Sequence, residues 1–279
     1  MREFQMRYQS LLNFQSLRLW LGKFGPTRYR CLLSVLVMSC VFATSNVSAA
    51  DPKSDPAKPL RVCLLSGCNT YHSEKSLPPF QEWLEKNYNV KCTRIVRKSD
   101  DNLPGLEQLD DCDVAFVFFK RMSLKGEQLE RFQKYVRSGK PVVAVRTASH
   151  AVQTWLAFDP EILGGNYQGH YAKEPVTTIE YTAAGKSHPI LKDVTLTTAP
   201  GPLYKNTGHA ADISILLTGS NPGNVEPLAW TREVKQGRLF YTSLGDPTTF
   251  EDPQFRRMLA QAIFWSAKRE PAARVENAK

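Results

Sequence analysis

Residues 60–268 predict a doubly wound α/β domain whose parallel sheet is extended by antiparallel strands in the C-terminal half. Three observations carry this. Short apolar runs alternate with helical patterns up to about residue 145, so consecutive strands need right-handed crossovers and lie parallel, covered on both faces. Beyond about Glu174 the helical pattern gives way to closely spaced strands with turn signals, which pair antiparallel. The chain, 279 residues at 42% hydrophobic content, is long enough to bury one full core. A flavodoxin-like strand order is the economical arrangement for the parallel half.

Leu60 to Ser66 is an apolar run interrupted only by Arg61 and reads as the first strand. Leu77, Phe80, Trp83 and Leu84 then share one helical face. Val90 to Val96 is the second strand and Asp113 to Phe119 the third. A helix starting near Ser123 turns Leu129, Phe132 and Val136 inward, with Gly139 at the C-terminal position that favours a left-handed residue. Pro141 to Val145 is the fourth strand. In the second half, Thr177 to Tyr181, Val194 to Thr198, Ile213 to Gly219, Pro227 to Val234 and Arg238 to Leu244 read as strands, with Lys235-Gln236-Gly237 closing a hairpin. The last helix has Asp252 as N-cap and Pro253 in its first turn, and buries Phe255, Leu259, Ala262 and Trp265. Residues 269–279 form a polar tail.

The net charge of +9 belongs mostly to the beginning of the chain. Six of the 36 Lys and Arg residues and one of the 27 acids lie in the first fifty, which leaves 30 against 26, a net of +4, for the rest. No basic helix or aromatic-interleaved basic strand accompanies that excess, so no nucleic-acid partner is expected. Arg18, Lys23, Arg28 and Arg30 precede the apolar run Cys31 to Ala43, and Ser48-Ala49-Ala50 offers a small-residue cleavage site. Residues 1–50 therefore read as a signal peptide and the protein as exported, periplasmic or extracellular. The run is short for a membrane span, so no stable insertion is expected after cleavage. Met6 is an alternative start, and Val37-Met38-Ser39-Cys40 a degenerate lipidation site. Residues 51–59 are a Pro-, Lys- and Asp-rich linker. Cys63, Cys68, Cys92 and Cys112 follow without a CxxC pair, and are compatible with one or two disulfides or with buried thiols beside strands.

In an open parallel sheet the ligand crevice lies outside the carboxyl ends of the strands. That rule gathers distant segments: Ser66 to His72 past the first strand, Lys120 and Arg121 past the third, Arg146 to His150 past the fourth, Gly245 and Asp246 past the last. The glycine-rich turn Leu163 to His170 joins them. Its glycines allow close backbone approach, but no GxGxxG or P-loop spacing is present, so nucleotide binding is not expected.

The segments VVAVRTASH (142–150), FDPEILGGNYQGHY (158–171), SHPILKDV (187–194) and EPLAWTREVKQGRLFYTSLG (226–245), followed by a helix ending IFW, resemble the ThuA-like family, named for trehalose utilisation. The resemblance spans about residues 60–268. It implies a class I glutamine-amidotransferase-like fold and a link to sugar metabolism. In that superfamily a cysteine sits on the elbow after a strand, and a histidine followed by an acid lies on a later strand. Laid on that pattern, Arg146 stands about where the cysteine would be, and Leu244 to Asp246 lies near the histidine. An arginine cannot be deprotonated and cannot act as a nucleophile, so glutamine hydrolysis is not expected. Many members carry a histidine where this chain has Asp246, which leaves that residue as base, ligand or turn cap.

The expected site is therefore His150, His170, Arg146 and Asp246 for the chemistry, with His72, Arg121, Gly165, Asn166 and Tyr167 binding the ligand. Paired imidazoles can transfer protons near neutrality or hold a divalent metal with Asp159 or His72, although no HxH or HExxH spacing supports a metal. Arg146, Arg121 and Lys120 would make the crevice cationic, suited to a carboxylate, an enolate or sugar hydroxyls; the alternative for Arg146 is a pair with Glu161 or Asp159. Tyr167 and Tyr204 are candidates to stack on a sugar face, and Trp230 reads as core. His188 reads as part of a turn, and His209 has no supporting context. The first functional expectation is an enzyme acting on a small saccharide or keto-saccharide, as hydrolase, lyase or isomerase. A non-catalytic saccharide-binding or scaffold protein is the second, and a metal-dependent hydrolase the third. Cofactor, substrate and oligomeric state stay open.

Overall fold

The computed structural model describes residues 58–171 and 176–273. The leader, residues 51–57 of the linker and residues 274–279 of the tail lie outside the described residues.

Among these, nine strands form one sheet in the order β2-β1-β3-β4-β9-β8-β7-β5-β6. The parallel half consists of β1 (Leu60–Gly67), β2 (Val90–Val96), β3 (Val114–Phe119), β4 (Val142–Val145) and β9 (Gly237–Thr242). Its order is the flavodoxin-like one, with β9 in the fifth place. From β9 the sheet continues antiparallel through β8 (Asn224–Val234), β7 (Ser214–Asn221), β5 (Thr177–Tyr181) and the two-residue β6 (Thr198–Ala199). This doubly wound sheet with an antiparallel extension is the one expected from the sequence.

Both faces of the parallel half are covered, which explains why its strands are continuously apolar rather than alternating. On one face Leu64, Phe116, Phe118, Val143 and Val145 pack with Phe80 and Leu84 of α1 (Ser73–Asn87) and with Phe255, Leu259 and Ile263 of α4 (Pro253–Ser266). On the other, Leu65, Val117 and Ala144 meet Phe132 and Val136 of α2 (Gly126–Arg137). Each fully buried Leu, Val or Phe contributes about 1.5–3 kcal/mol. Asp252 caps α4 by accepting from the Gln254 N–H at 2.7 Å, and Pro253 occupies the first turn, where its missing N–H removes no helical bond. Trp265 is only half-buried, its ring tilted against that of His188 with centroids 5.0 Å apart, and His188 accepts from the Ile190 N–H within its turn.

One expected strand is not there. Of Val194 to Thr198, only Thr198 enters a strand, where it lies opposite Thr178 while Ala199 lies opposite Thr177. Val194 and Leu196 are buried, but their neighbours' main-chain groups are taken by side chains: Thr195 N–H donates to Gln254 and the Val194 carbonyl accepts from Tyr181. The apolar alternation there reflects packing against α4, not a ladder.

Candidate functional site

Four strand ends meet at one edge of the sheet. Past β1, Ser73 Oγ accepts from the Cys68 N–H at 2.9 Å and tightens the turn that presents Thr70 and Tyr71. Past β3, the Arg121 N–H donates to the His150 carbonyl at 2.9 Å and Met122 N–H to Ala151 at 2.7 Å, which ties that loop to the one past β4. Arg121 and Arg146, each at a strand end, have φ of +49° and +51°. Left-handed backbone at a residue with a side chain costs roughly 1–2 kcal/mol, and such corners concentrate at functional sites. The glycine-rich turn reaches the same edge by pairing with residues 203–205: Tyr171 N–H donates to Leu203 O and Lys205 N–H to Gly169 O. Tyr167, His170 and Tyr204 are brought together in this way.

These loops enclose a cavity of about 550 Å³, within the usual range for small-molecule sites. Thr70, Tyr71, Lys120, Arg121, Thr147 and His150 line it from the β1, β3 and β4 ends. Tyr167, His170, Tyr204 and the Gly201-Pro202 turn close it from the other side, and Asp246 lies past β9. Of the expected residues, His150, His170, Asp246, Arg121 and Tyr167 are brought together. His72, Gly165 and Asn166 do not line the cavity. His72 is exposed at the start of α1, with Nδ1 3.2 Å from Glu74 Oε1. Asn166 faces outward to the Thr207 carbonyl. Gly165 packs on Asp159, in space a side chain would deny to the Asp159 carboxyl.

Arg146 departs most from expectation. It is 2% exposed and lies beneath the cavity, not in its wall. Its guanidinium carbon is 4.6 Å from the ring centroids of both Tyr71 and Tyr204. Nη1 donates to the Ser243 carbonyl at 2.6 Å, and Nη2 to the Tyr71 hydroxyl at 3.1 Å. Nε has no hydrogen-bond partner. Neither Glu161, which pairs with Arg137, nor Asp159 meets it. A buried charge without a counter-ion is expensive; carbonyl acceptors and two ring faces, each ring worth up to about 2 kcal/mol when desolvated, offset part of that. A methyl on Gly201, whose φ is +89°, would stand 2.5 Å from Nη2, so only a glycine lets that turn close over the arginine.

A family model described as "ThuA: Trehalose utilisation" matches residues 61–266. The chain belongs to the ThuA family. No curated protein matches it. A ThuA-like protein of Parabacteroides merdae superposes with a TM-score of 0.59 at 18% identity, covering 79% of this chain and 94% of that one. One from Bacteroides uniformis gives 0.58 at 18%, covering 78% and 95%. A β-galactosidase from Rahnella sp. R3 gives 0.53 at 14%, covering 77% of this chain but 32% of that one. At these identities the likeness shows the fold alone. Membership of the ThuA family ties the chain to trehalose utilisation.

Within this ThuA cavity the two histidines differ in kind. His150 stacks on Tyr167 at 4.3 Å, and burial, reinforced by the charges of Arg121, Lys120 and Arg146, pushes its imidazole down to about 3. It is neutral near pH 7 and offers one donor and one acceptor, not the titrating half of an acid–base pair. His170 is exposed, and its Nδ1 lies 2.7 Å from the Tyr171 carbonyl. A carbonyl only accepts, so Nδ1 carries the hydrogen and the neutral ring keeps a lone pair on Nε2. The Tyr71 hydroxyl accepts from Arg146, which leaves its own hydrogen to donate. Asp159 is buried under the glycine-rich turn, where Oδ2 accepts from the Tyr167 N–H at 2.8 Å, and burial pushes its carboxyl up to about 7.

The metal set considered from the sequence does not assemble: His72 is paired outside the cavity and Asp159 is beneath it. Among the described residues, no group of three His, Cys, Asp or Glu side chains is placed to hold a metal. Sequence reasoning passed over Tyr71, although it lies in the β1-end segment that the crevice rule had singled out. It also passed over Thr147, whose hydroxyl donates to the Phe119 carbonyl and joins the β3 and β4 ends.

Proposed function

We propose that this is an exported ThuA protein that binds and processes a carbohydrate or keto-saccharide by acid–base chemistry. The observation that carries this reading is one polar cavity presenting His170, the Tyr71 hydroxyl, neutral His150 and Asp246 around a space of about 550 Å³. Hydroxyl-rich ligands need both donors and acceptors, and this wall supplies them. His170 Nε2 serves as the base that takes a proton, Tyr71 donates to a developing oxygen charge, and His150 holds a hydroxyl or carbonyl by a single directed hydrogen bond. Arg146 acts through Tyr71, since its own atoms lie beneath the floor.

Glutamine hydrolysis is not part of this proposal, because Arg146 stands at the β4 corner and no cysteine lines the cavity among the described residues. A thermal-shift screen of mono- and disaccharides and their keto derivatives selects the ligand, since binding to the folded state raises the melting temperature. With the ligand in hand, His170→Ala is expected to lower turnover by roughly 10²–10⁴-fold. Full turnover in that variant would defeat the assignment. The inward commitment of the elbow residue favours a second reading, a saccharide-binding protein without catalysis. In that case ligands bind, no product forms, and exchange of both histidines for Gln largely preserves affinity.

A further inference from the structure

Among the described residues, the cations around the cavity form no ion pair. Lys120 Nζ donates to the Thr70 hydroxyl at 2.6 Å and Arg121 Nη1 to the Gln153 side-chain carbonyl at 3.3 Å, both neutral partners. Arg146, beneath the floor, meets only carbonyls, a hydroxyl and ring faces. Among the described residues no carboxylate lies within 4.0 Å of any of the three, whereas Arg61, Arg131, Arg137 and Arg232 each meet one elsewhere on the surface. The only carboxylate in the described wall, Asp246, lies past β9 on the same side of Gly201 as the arginine: a methyl on Gly201 would stand 2.5 Å from Arg146 Nη2 and 3.5 Å from Asp246 Oδ2, and the two side chains form no ion pair.

Lys120 and Arg121 leave the end of β3 side by side, and the Arg121 backbone is held to His150 across the cavity floor. Their charge is felt there: both depress the His150 imidazole. A neutral sugar has no use for such a field. A carboxylate does, and a guanidinium beside an ammonium gives it charge-assisted hydrogen bonds, stronger than those between neutral groups.

We propose that the saccharide taken by this cavity is acidic, a uronic or aldonic acid unit whose carboxylate is held by Arg121 and Lys120 while its hydroxyls face Tyr71, His150 and His170. The proposal rests on the saccharide reading above and narrows it to a substrate class.

Matched acidic and neutral mono- and disaccharides test it by calorimetric titration, with glucuronate and gluconate against glucose, and with acetate and lactate as carboxylates lacking a sugar. The acidic sugars are expected to bind at least tenfold more tightly than the neutral ones. The difference should vanish in Lys120→Gln/Arg121→Gln. Neither side chain pairs with a described carboxylate, so that variant should keep the wild-type melting temperature. If it does not fold, the wild type still decides: raising ionic strength from about 0.01 M to about 1 M shortens the screening length from ~30 Å to ~3 Å and should selectively weaken the acidic sugars. Equal binding of glucose and glucuronate overturns the acidic preference and leaves the saccharide reading standing. Acetate or lactate binding as tightly as glucuronate overturns the saccharide reading instead. Binding by none of the probes overturns both.

Discussion

Buried Arg146 and half-buried Tyr71 form a pair in which the guanidinium Nη2 donates to the phenol oxygen at 3.1 Å while the guanidinium carbon lies 4.6 Å from the phenol ring centroid. The arginine thus orients a cavity residue without entering the cavity, and this division of roles can be measured.

Arg146→Ala should destabilise the fold by roughly 3 kcal/mol, through the void left between Tyr71 and Tyr204 and the unpaired Ser243 carbonyl. Arg146→Met, which refills the slot, should recover about half of that. Urea unfolding checks both values. A loss below about 0.5 kcal/mol for the alanine variant, typical of a surface position, would refute the buried placement.

Tyr71→Phe keeps the ring over the guanidinium and removes only the hydroxyl. Its stability should fall by about 1 kcal/mol, the net worth of an ordinary hydrogen bond. Turnover on an identified substrate should fall at least tenfold with KM little changed, because the lost donor acts on charge that develops in the transition state. Steady-state kinetics separate this from a purely structural role, which would leave kcat intact once the variant is folded.

Two buried groups pull stability in opposite directions with pH. His150 sits at about 3 against an ordinary value near 6.5, so between those limits the unfolded chain binds the extra proton and stability rises with pH. Asp159 sits at about 7 against roughly 3.9, so between those limits the folded chain holds the extra proton and stability falls as pH rises. The windows overlap from about pH 4 to 6.5, where the wild type should be nearly flat. Asp159→Asn should expose a positive slope of up to about 1.4 kcal/mol per pH unit, and His150→Gln a negative one. Thermal or urea unfolding across that range, with slopes of the wrong sign in either variant, would remove the argument.

The four cysteines among the described residues, Cys63, Cys68, Cys92 and Cys112, are free and buried, and burial pushes the thiols of Cys68 and Cys92 up, the latter to about 12. The thiolate is the reactive form. In protein lacking residues 1–50, a thiol-specific dye should label none of the four in the native state and all four after unfolding. Fewer than four after unfolding without reductant would reveal a disulfide.

The parallel half of the sheet was legible because β1, β3 and β4 are continuous apolar runs, and only a strand buried on both faces needs that pattern. The crevice rule then placed Arg121, His150 and Asp246 correctly at one edge, since strand ends are positions along the chain. It failed where direction mattered. His72 and Tyr71 are adjacent in one loop, yet Tyr71 faces the cavity and His72 lies outside it. Val194 and Leu196 alternate like a strand and instead pack beneath α4.

By itself the sequence determined the order of strands and helices, the edge at which polar loops meet, and the absence of a nucleophile at the β4 corner. All three follow from hydrophobic periodicity and residue identity. Only the tertiary structure decided that Arg146 turns inward under Tyr71 and Tyr204, that His150 is held neutral, and that Lys120 and Arg121 meet no carboxylate among the described residues. Those properties depend on groups brought close from distant parts of the chain, where burial and electrostatic fields act through space and no local pattern records them.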